Sequence, residues 1–215
     1  MKFDRDMLLL YAVTDRGWTG RQTLYEQIGA ALQGGVTMVQ LREKLLDTEA
    51  FVAEGIRVRK LCHRYGVPLI INDNVDVALR SGADGVHVGI EDAPVASIRA
   101  RVGADFIIGA TAKTVAQAQA AESAGADYLG VGAVFPSPTK TNAIRITNEQ
   151  LQEICRSVTI PAVAIGGISL DNADALCGSS VAGIAVVSAI FAAEDILTAT
   201  QKLKEKATVI VAGGF

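Results

Sequence analysis

The stretch SGADGVHVG (81–89) returns later in the chain as AGADYLGVG (124–132). Each copy combines a Gly-containing helix end, a short turn and the start of an apolar strand. Self-similarity of this kind is the signature of a repeated structural unit. The two copies therefore indicate that the chain is built from repeated αβ units.

Short apolar runs recur along the whole chain, and a longer segment with helical periodicity follows each of them. The runs are rich in Val and Ile and apolar on both faces, which is typical of parallel strands buried on both sides. The helical segments begin at capping residues, such as Ser169, or end at Gly. Eight strands are predicted, at residues 8–13, 36–41, 68–72, 85–88, 106–110, 128–133, 161–166 and 183–188.

Eight strands alternating with eight helices, without a break in composition, predict one α/β domain over residues 1–215. An open, doubly wound sheet has the same alternation. Near-equal units in a chain of 215 residues favour a single-domain (β/α)8 TIM barrel, at the low end of the usual length range. The apolar terminal stretch ATVIVAGGF (207–215) suits docking on the barrel or an oligomer contact, so a homo-oligomer stays open.

Composition indicates which partners and which cellular compartment suit the chain. The chain has 20 Lys and Arg against 23 Asp and Glu, a net charge of −3, which argues against nucleic acid as a partner. Three cysteines without ligand spacing, Cys62, Cys155 and Cys177, indicate free thiols in a reducing compartment. No apolar run reaches the ~20 residues of a membrane span, and no signal peptide is evident. We expect a cytoplasmic protein without membrane contact.

The active sites of such barrels lie at the C-terminal ends of the strands. Asp73 and Asp92 follow the third and fourth predicted strands. A single carboxylate at a helix start is often only a cap. Two of them at adjacent strand ends form a pair of hard oxygen ligands, which suits Mg²⁺. The sequence therefore predicts one Mg²⁺ ion held by these two residues.

Three cations, Arg42, Lys44 and Lys140, are predicted at the same face of the barrel. One such residue is usually a solvated surface charge, but three beside a metal site favour a polyphosphate ligand. We predict that they act in catalysis by binding a leaving pyrophosphate. A Schiff-base role for Lys140 is the alternative. Its place in a long loop, residues 136–147, favours a phosphate-binding lid instead.

A second phosphate signal follows the last two strands. Gly166 and Gly167 permit close backbone approach, and Ser188 follows the next strand. A tight turn would explain the glycines equally well, but the combination favours a monophosphate site. His87 lies mid-strand and is predicted to be a hydrogen-bonded interior residue. The pattern suggests two phosphorylated small-molecule substrates, which are joined with loss of pyrophosphate.

In order, the chain contains the motifs YAVTD (11–15), QLREK (40–44), INDNVDVAL (71–79), GADGVHVG (82–89), ED (91–92), ADYLGVGAVFPSPTK (126–140) and AIGGI (164–168). Together they resemble the thiamin phosphate synthase (thiamin-phosphate pyrophosphorylase) family. The resemblance spans about residues 8–200, and it implies a TIM-barrel transferase of thiamin biosynthesis. Such an enzyme joins 4-amino-2-methyl-5-hydroxymethylpyrimidine diphosphate to 4-methyl-5-(2-hydroxyethyl)thiazole phosphate. The products are thiamin phosphate and pyrophosphate.

The resemblance also implies roles for individual residues. Asp73 and Asp92 would hold Mg²⁺, and the pyrimidine diphosphate would ionise before the thiazole nitrogen captures the pyrimidinylmethyl cation. The implied contacts to the pyrimidine diphosphate are Gln40, Leu41, Arg42, Glu43, Lys44, Asn72, Thr111 and Lys140. The implied contacts to the thiazole phosphate are Ser137, Pro138, Thr139, Gly167, Val187 and Ser188.

Three positions depart from the family pattern. Ile90 replaces a common Gln, Thr111 a usual Ser, and Lys113 a frequent His. Two other functions share much of the pattern: a thiazole tautomerase with the same barrel, and a non-catalytic sensor of a phosphorylated ligand. The tautomerase would not need the cations and the carboxylate pair, and it would use a histidine where Lys113 stands. The sensor would leave the metal pair unexplained.

Overall fold

The computed structural model describes residues 2–20, 22–136 and 145–213. Within them, eight parallel strands pair in sequence order, and β1 also pairs with β8, so that the sheet closes on itself. This closure confirms the predicted TIM barrel and excludes the open sheet. The strands are β1 Leu10–Val13, β2 Met38–Leu41, β3 Leu69–Asn72, β4 Gly85–Val88, β5 Ile107–Ala112, β6 Tyr128–Gly132, β7 Ala162–Ile165 and β8 Gly183–Val186.

Helices cover the outside of the barrel, and several begin at the side-chain caps that the sequence provides. Thr23 and Thr147 each form a capping box with the residue three positions later. The α-helices are α1 Leu24–Gly34, α2 Thr48–Arg64, α3 Val75–Ser81, α4 Val95–Val102, α5 Val115–Ser123, α6 Asn148–Arg156, α7 Ser188–Phe191 and α8 Ile196–Ala212. Short 3-10 helices lie at Arg5–Leu8, Arg16–Trp18 and Ala173–Leu176.

One predicted helix differs from the structure. The segment expected to start a helix at Ser169 forms only the 3-10 helix Ala173–Leu176. Asn172 explains the late and short start, because its side chain accepts a hydrogen bond from the Ser169 amide and donates one to the Gly167 carbonyl. These bonds hold the backbone in a turn where a longer helix would otherwise begin.

The repeated GAD motif has one structural task in both copies. Asp84 precedes β4, and its side chain accepts a hydrogen bond from the amide of Leu69 at the start of β3 (2.9 Å). Asp127 precedes β6, and its side chain accepts one from the amide of Ile108 in β5 (2.7 Å). Each aspartate thus ties the start of its own strand to the preceding strand, which fixes their register at the end opposite the predicted site.

The core has two layers. Most buried apolar residues lie between the strands and the helices. A second cluster fills the barrel interior and includes Tyr11, Met38, Ile70 and Tyr128. No helix of residues 2–20, 22–136 and 145–213 has both the length and the apolar character of a membrane span.

Candidate active site

The stretch after β2 is braced by the loop after β1. Asp15 accepts a hydrogen bond from the Arg42 guanidinium (2.7 Å), and the Thr14 hydroxyl accepts one from the Arg42 amide (3.0 Å). Arg16 donates to both carboxylate oxygens of Glu43 (2.8 Å each). Asp15 and Arg16, which the sequence analysis did not single out, thus hold the predicted contacts Arg42 and Glu43 in place.

The side chains of the stretch QLREK (40–44) point in different directions. Gln40 points into the barrel interior, where its amide donates to the Tyr11 hydroxyl (2.7 Å). Leu41 packs in the layer between strands and helices, so its side chain faces away from the mouth. The Glu43 side chain is 1% exposed and engaged by Arg16, and this hydrogen bond raises the pKa of Arg16. Leu41 can therefore meet a ligand at the mouth of the barrel only through its backbone.

The loop after β2 and the end of β3 bring three of the predicted residues together, Lys44, Asn72 and Asp73. Asp73 has a left-handed backbone conformation (φ 62°), and its amide donates a hydrogen bond to the His87 carbonyl (2.8 Å) that helps to hold it. Its carboxylate accepts from Asn72 (2.7 Å) and from Lys44 (2.7 Å). Asp92 is exposed, and its carboxylate accepts from the Gly89 amide (2.7 Å). Lys44, which is predicted to bind pyrophosphate, thus lies in direct contact with Asp73, which is predicted to bind the metal.

The carboxylate pair can be tested against the demands of Mg²⁺. No group of three or more His, Cys, Asp or Glu that could hold a metal occurs among the described residues. Mg²⁺ does not require such a group, because it is commonly held by one or two carboxylates, water and substrate phosphates. Asp73 and Asp92 follow adjacent, paired strands and offer hard oxygen donors. Their donor chemistry fits Mg²⁺ bound together with a diphosphate.

The floor of the site is polar but uncharged. The ring of His87 lies between the hydroxyls of Tyr128 and Thr111, at 3.1 Å from each. Burial lowers the pKa of His87 to about 4, and it raises the pKa of Tyr128 well above its usual value. The expectation of a hydrogen-bonded interior histidine is thus confirmed.

The loops after β6 and β7 pack together on another part of the rim. The Phe135 amide donates to the Gly166 carbonyl (3.0 Å), and a Cβ on Gly167 would meet the Pro136 carbonyl oxygen at 2.1 Å. Gly166 and Gly167 both have positive φ, 103° and 65°. Glycine is therefore required here for the loop packing itself. Val187 and Ser188 follow β8, where Ser188 begins the short helix α7.

Four predicted contacts, Ser137, Pro138, Thr139 and Lys140, lie outside the described residues, as does most of the predicted lid 136–147. The departures Ile90 and Lys113 lie in the loops after β4 and β5. Ile90 is 46% exposed, and the Lys113 amide donates to Gln117 (2.8 Å). Within the described part of the chain, neither side chain forms a hydrogen bond or an ion pair with the carboxylates and cations described above.

Comparison with known proteins decides the family. The family model described as thiamine monophosphate synthase matches residues 10–190. The chain belongs to this family. A thiamine-phosphate synthase from Ruminiclostridium cellulolyticum is 47% identical over 196 residues, which cover 91% of this chain and 93% of the relative. The resemblance drawn from the motifs is thereby confirmed.

Two further relatives extend the match. A solved thiamine phosphate pyrophosphorylase from Pyrococcus furiosus is 40% identical, with a TM-score of 0.89, and the match covers 96% of this chain and 98% of that one. The chloroplastic thiamine biosynthetic bifunctional enzyme TH1 of Arabidopsis thaliana is 43% identical over 94% of this chain, but the match covers only 40% of its own length. Membership of this family makes the chain a transferase of thiamine biosynthesis.

Proposed function

We propose that the chain condenses 4-amino-2-methyl-5-hydroxymethylpyrimidine diphosphate with 4-methyl-5-(2-hydroxyethyl)thiazole phosphate and releases pyrophosphate. The product is thiamin phosphate. Breaking the C–O bond sends its electron pair to the leaving pyrophosphate, and the thiazole nitrogen supplies the pair for the new N–C bond. Family membership over residues 10–190 supports this reaction.

The contact between Lys44 and Asp73 is the observation that carries the proposal. It brings an ammonium group and a carboxylate from neighbouring loops to 2.7 Å at the mouth of the barrel. A diphosphate with its metal ion can use both groups, since the ammonium binds phosphate oxygens and the carboxylate binds the metal. A ligand without charge would not use this arrangement.

The cations stabilise the charge that develops on the leaving group. Arg42 offers a planar guanidinium whose orientation is set by Asp15, and Lys44 offers a compact charge. Such groups lower the barrier because they are already oriented before the bond breaks. Lys140 is proposed to add a third charge from the loop 136–147 and to help exclude water from the cation. Gln40, Asn72 and Thr111 hold the rest of this substrate, together with the backbone at Leu41 and Glu43.

Asp73 and Asp92 would hold one Mg²⁺ ion. When bound, the ion neutralises charge on the diphosphate. The Asn72 amide donates to one oxygen of Asp73 and so orients this carboxylate.

The thiazole phosphate is proposed to lie on the opposite side of the mouth. Gly167, Val187 and Ser188 supply backbone amides and a hydroxyl there, and Ser137, Pro138 and Thr139 complete the contacts. Gly167 suits this role because the absence of a side chain lets a ligand approach its backbone closely. We further propose that residues 1–215 act as one catalytic domain, and a homo-oligomer stays a prediction.

The direct test is pyrophosphate release by the purified protein given both substrates and Mg²⁺, with each component omitted in turn. Release that needs all three, with equal formation of thiamin phosphate, is expected. Isomerisation of the thiazole phosphate alone would identify a tautomerase instead. Binding of either phosphate compound without any turnover would identify a sensor.

A further inference from the structure

A line of hydrogen-bonded side chains crosses the interior of the barrel. The Gln40 amide donates to the Tyr11 hydroxyl (2.7 Å), which contacts the Tyr128 hydroxyl (2.8 Å). The Tyr128 hydroxyl also contacts Nδ1 of His87 (3.1 Å), and Nε2 of His87 contacts the Thr111 hydroxyl (3.1 Å). The line thus joins two proposed substrate contacts, Gln40 and Thr111, through three residues without an assigned role in the reaction.

The surrounding backbone makes room for this line. A Cβ on Gly109 would lie 2.2 Å from Tyr128 Cζ and 2.5 Å from His87 Nδ1. A Cβ on Gly130 would lie 2.9 Å from His87 Cε1. Phe3 stacks on the Tyr128 ring, with centroids 5.8 Å apart. The two rings are therefore held by close packing as well as by hydrogen bonds.

The orientation of the Gln40 amide sets the direction of the line. Its nitrogen faces Tyr11 and can only donate, so the Tyr11 oxygen accepts from it. The Tyr11 hydrogen then needs an acceptor, and Tyr128 is the one that the described residues offer. Tyr128 in turn donates to Nδ1 of His87. A neutral imidazole carries a single hydrogen, which must then be on Nε2 and point at the Thr111 oxygen.

The opposite direction is disfavoured. If Tyr128 donated to Tyr11, the Tyr11 hydrogen would be left without a partner at a residue that is 1% exposed. An unpaired buried donor loses its hydration without compensation. Since Thr111 accepts from His87 in the favoured direction, its own hydrogen is free to turn toward the mouth of the barrel.

We propose that Tyr128 is a positioning residue, which fixes His87 as the Nε2–H tautomer and thereby presets the Thr111 hydroxyl as a donor to the bound substrate. The role of Thr111 in this statement rests on the proposed function. The acceptor that it recognises is an anionic phosphate oxygen or a ring nitrogen without hydrogen. Tyr128 itself does not touch the substrate.

The tautomer can be read directly by ¹⁵N NMR of histidine side chains in the protein without substrate. The chain has only two histidines, so His63→Gln assigns the signals of His87. We expect a pyridine-type Nδ1 and a protonated, pyrrole-type Nε2 in the unaltered protein. Tyr128→Phe should remove this preference and give a mixture. A pyrrole-type Nδ1 in the unaltered protein would overturn the proposal.

Kinetics separate positioning from a merely structural role. Loss of one oriented hydrogen bond corresponds to about a fivefold change, so Tyr128→Phe should lower kcat about fivefold with little change in KM. If it acts through the hydroxyl of Thr111, the same change should cost almost nothing in a Thr111→Ala background. Thr111→Ser, which keeps the hydroxyl, should retain the sensitivity to Tyr128→Phe.

Equal losses from Tyr128→Phe in both backgrounds would reject the link to Thr111. Tyr11→Phe is a second variant, which also removes the donor to Tyr128 and should weaken the tautomer preference in the same NMR measurement. Absence of turnover in the unaltered protein would refute the proposed function. The NMR result on the free protein would stand in that case, so the two failures are distinguishable.

Discussion

The aspartate of the second GAD copy provides a sharp test of how the barrel is held together. Asp127 accepts hydrogen bonds at 2.7 Å from both the Ile108 amide and the Arg99 guanidinium. Arg99 also donates to the carbonyls of Gly103, Phe106 and Gly125, so it joins α4 to the loops before β5 and β6. Asp127→Ala removes the acceptor of the amide and the counter-charge of Arg99 together.

The structure sets the size of the effect. Ile108 is fully buried, with 0% exposure. A buried amide left without a hydrogen-bond acceptor destabilises a protein by about 1–3 kcal/mol. The ion pair adds about 1 kcal/mol, because its side chains keep 20% and 25% exposure and water replaces part of the contact. We expect Asp127→Ala to lower the free energy of unfolding by about 3 kcal/mol.

Urea unfolding followed by circular dichroism measures this change. Asp105→Ala is the matched control, since it removes the same charge from an exposed site in the neighbouring loop and should change stability by less than about 0.5 kcal/mol. Asp127→Asn keeps an oxygen for the Ile108 amide and should recover about half of the loss. The reasoning fails if Asp127→Ala is as stable as the control, or if the Asn and Ala variants are equally destabilised.

Three further predictions concern the site. Asp92→Asn should lower turnover at limiting Mg²⁺ by about tenfold, measured as pyrophosphate release, whereas the adjacent control Glu91→Gln should not. An equal response of the two variants would remove Asp92 from the metal site. In the absence of pyrophosphate, the Lys44→Met variant should bind Mn²⁺ up to about fivefold more tightly than the unaltered protein, because an ammonium group no longer competes for Asp73. Unchanged Mn²⁺ affinity in a titration followed by electron paramagnetic resonance would contradict that competition. His87 has its pKa lowered by burial from 6.5 to about 4, so the unfolded chain takes up its proton first on acidification. The free energy of unfolding should therefore fall by about 1.4 kcal/mol per pH unit between pH 6.5 and 4 from this residue alone. In His87→Gln, urea unfolding at several pH values should show a correspondingly smaller dependence of stability on pH. An unchanged pH dependence would show that His87 is not the group responsible.

The sequence predicted the barrel well because its signal is local. Each strand is a short apolar run, and its burial on both faces needs no knowledge of the rest of the chain. The direction of individual side chains was harder to predict. The sequence implied a substrate contact at Leu41 without saying which part of the residue makes it, and the structure turns the side chain toward the helices, which leaves the backbone for a ligand.

Contacts between distant residues explain what the sequence left open. Tyr11 and Tyr128 are 117 positions apart, and no spacing rule pairs them. Asp15 and Arg42 are 27 positions apart on neighbouring loops, so the brace became visible only when the strands were in register. The sequence identified cations and carboxylates at the ends of strands. Which of them form ion pairs with each other depends on their positions in three dimensions.

The separation of charge within the site suits a dissociative reaction. Arg42 and Lys44 lie at the rim, each paired with a carboxylate, where the leaving pyrophosphate is proposed to bind. The floor contains Tyr11, Tyr128 and His87, and burial keeps all three neutral near pH 7: it raises the pKa of both tyrosines and lowers that of the histidine. A protonated imidazole on the floor would repel the proposed pyrimidinylmethyl cation, and a phenolate would attract it away from the thiazole nitrogen. Polar groups that stay neutral can orient the substrate without either effect, so the charges that drive ionisation remain on the side of the leaving group.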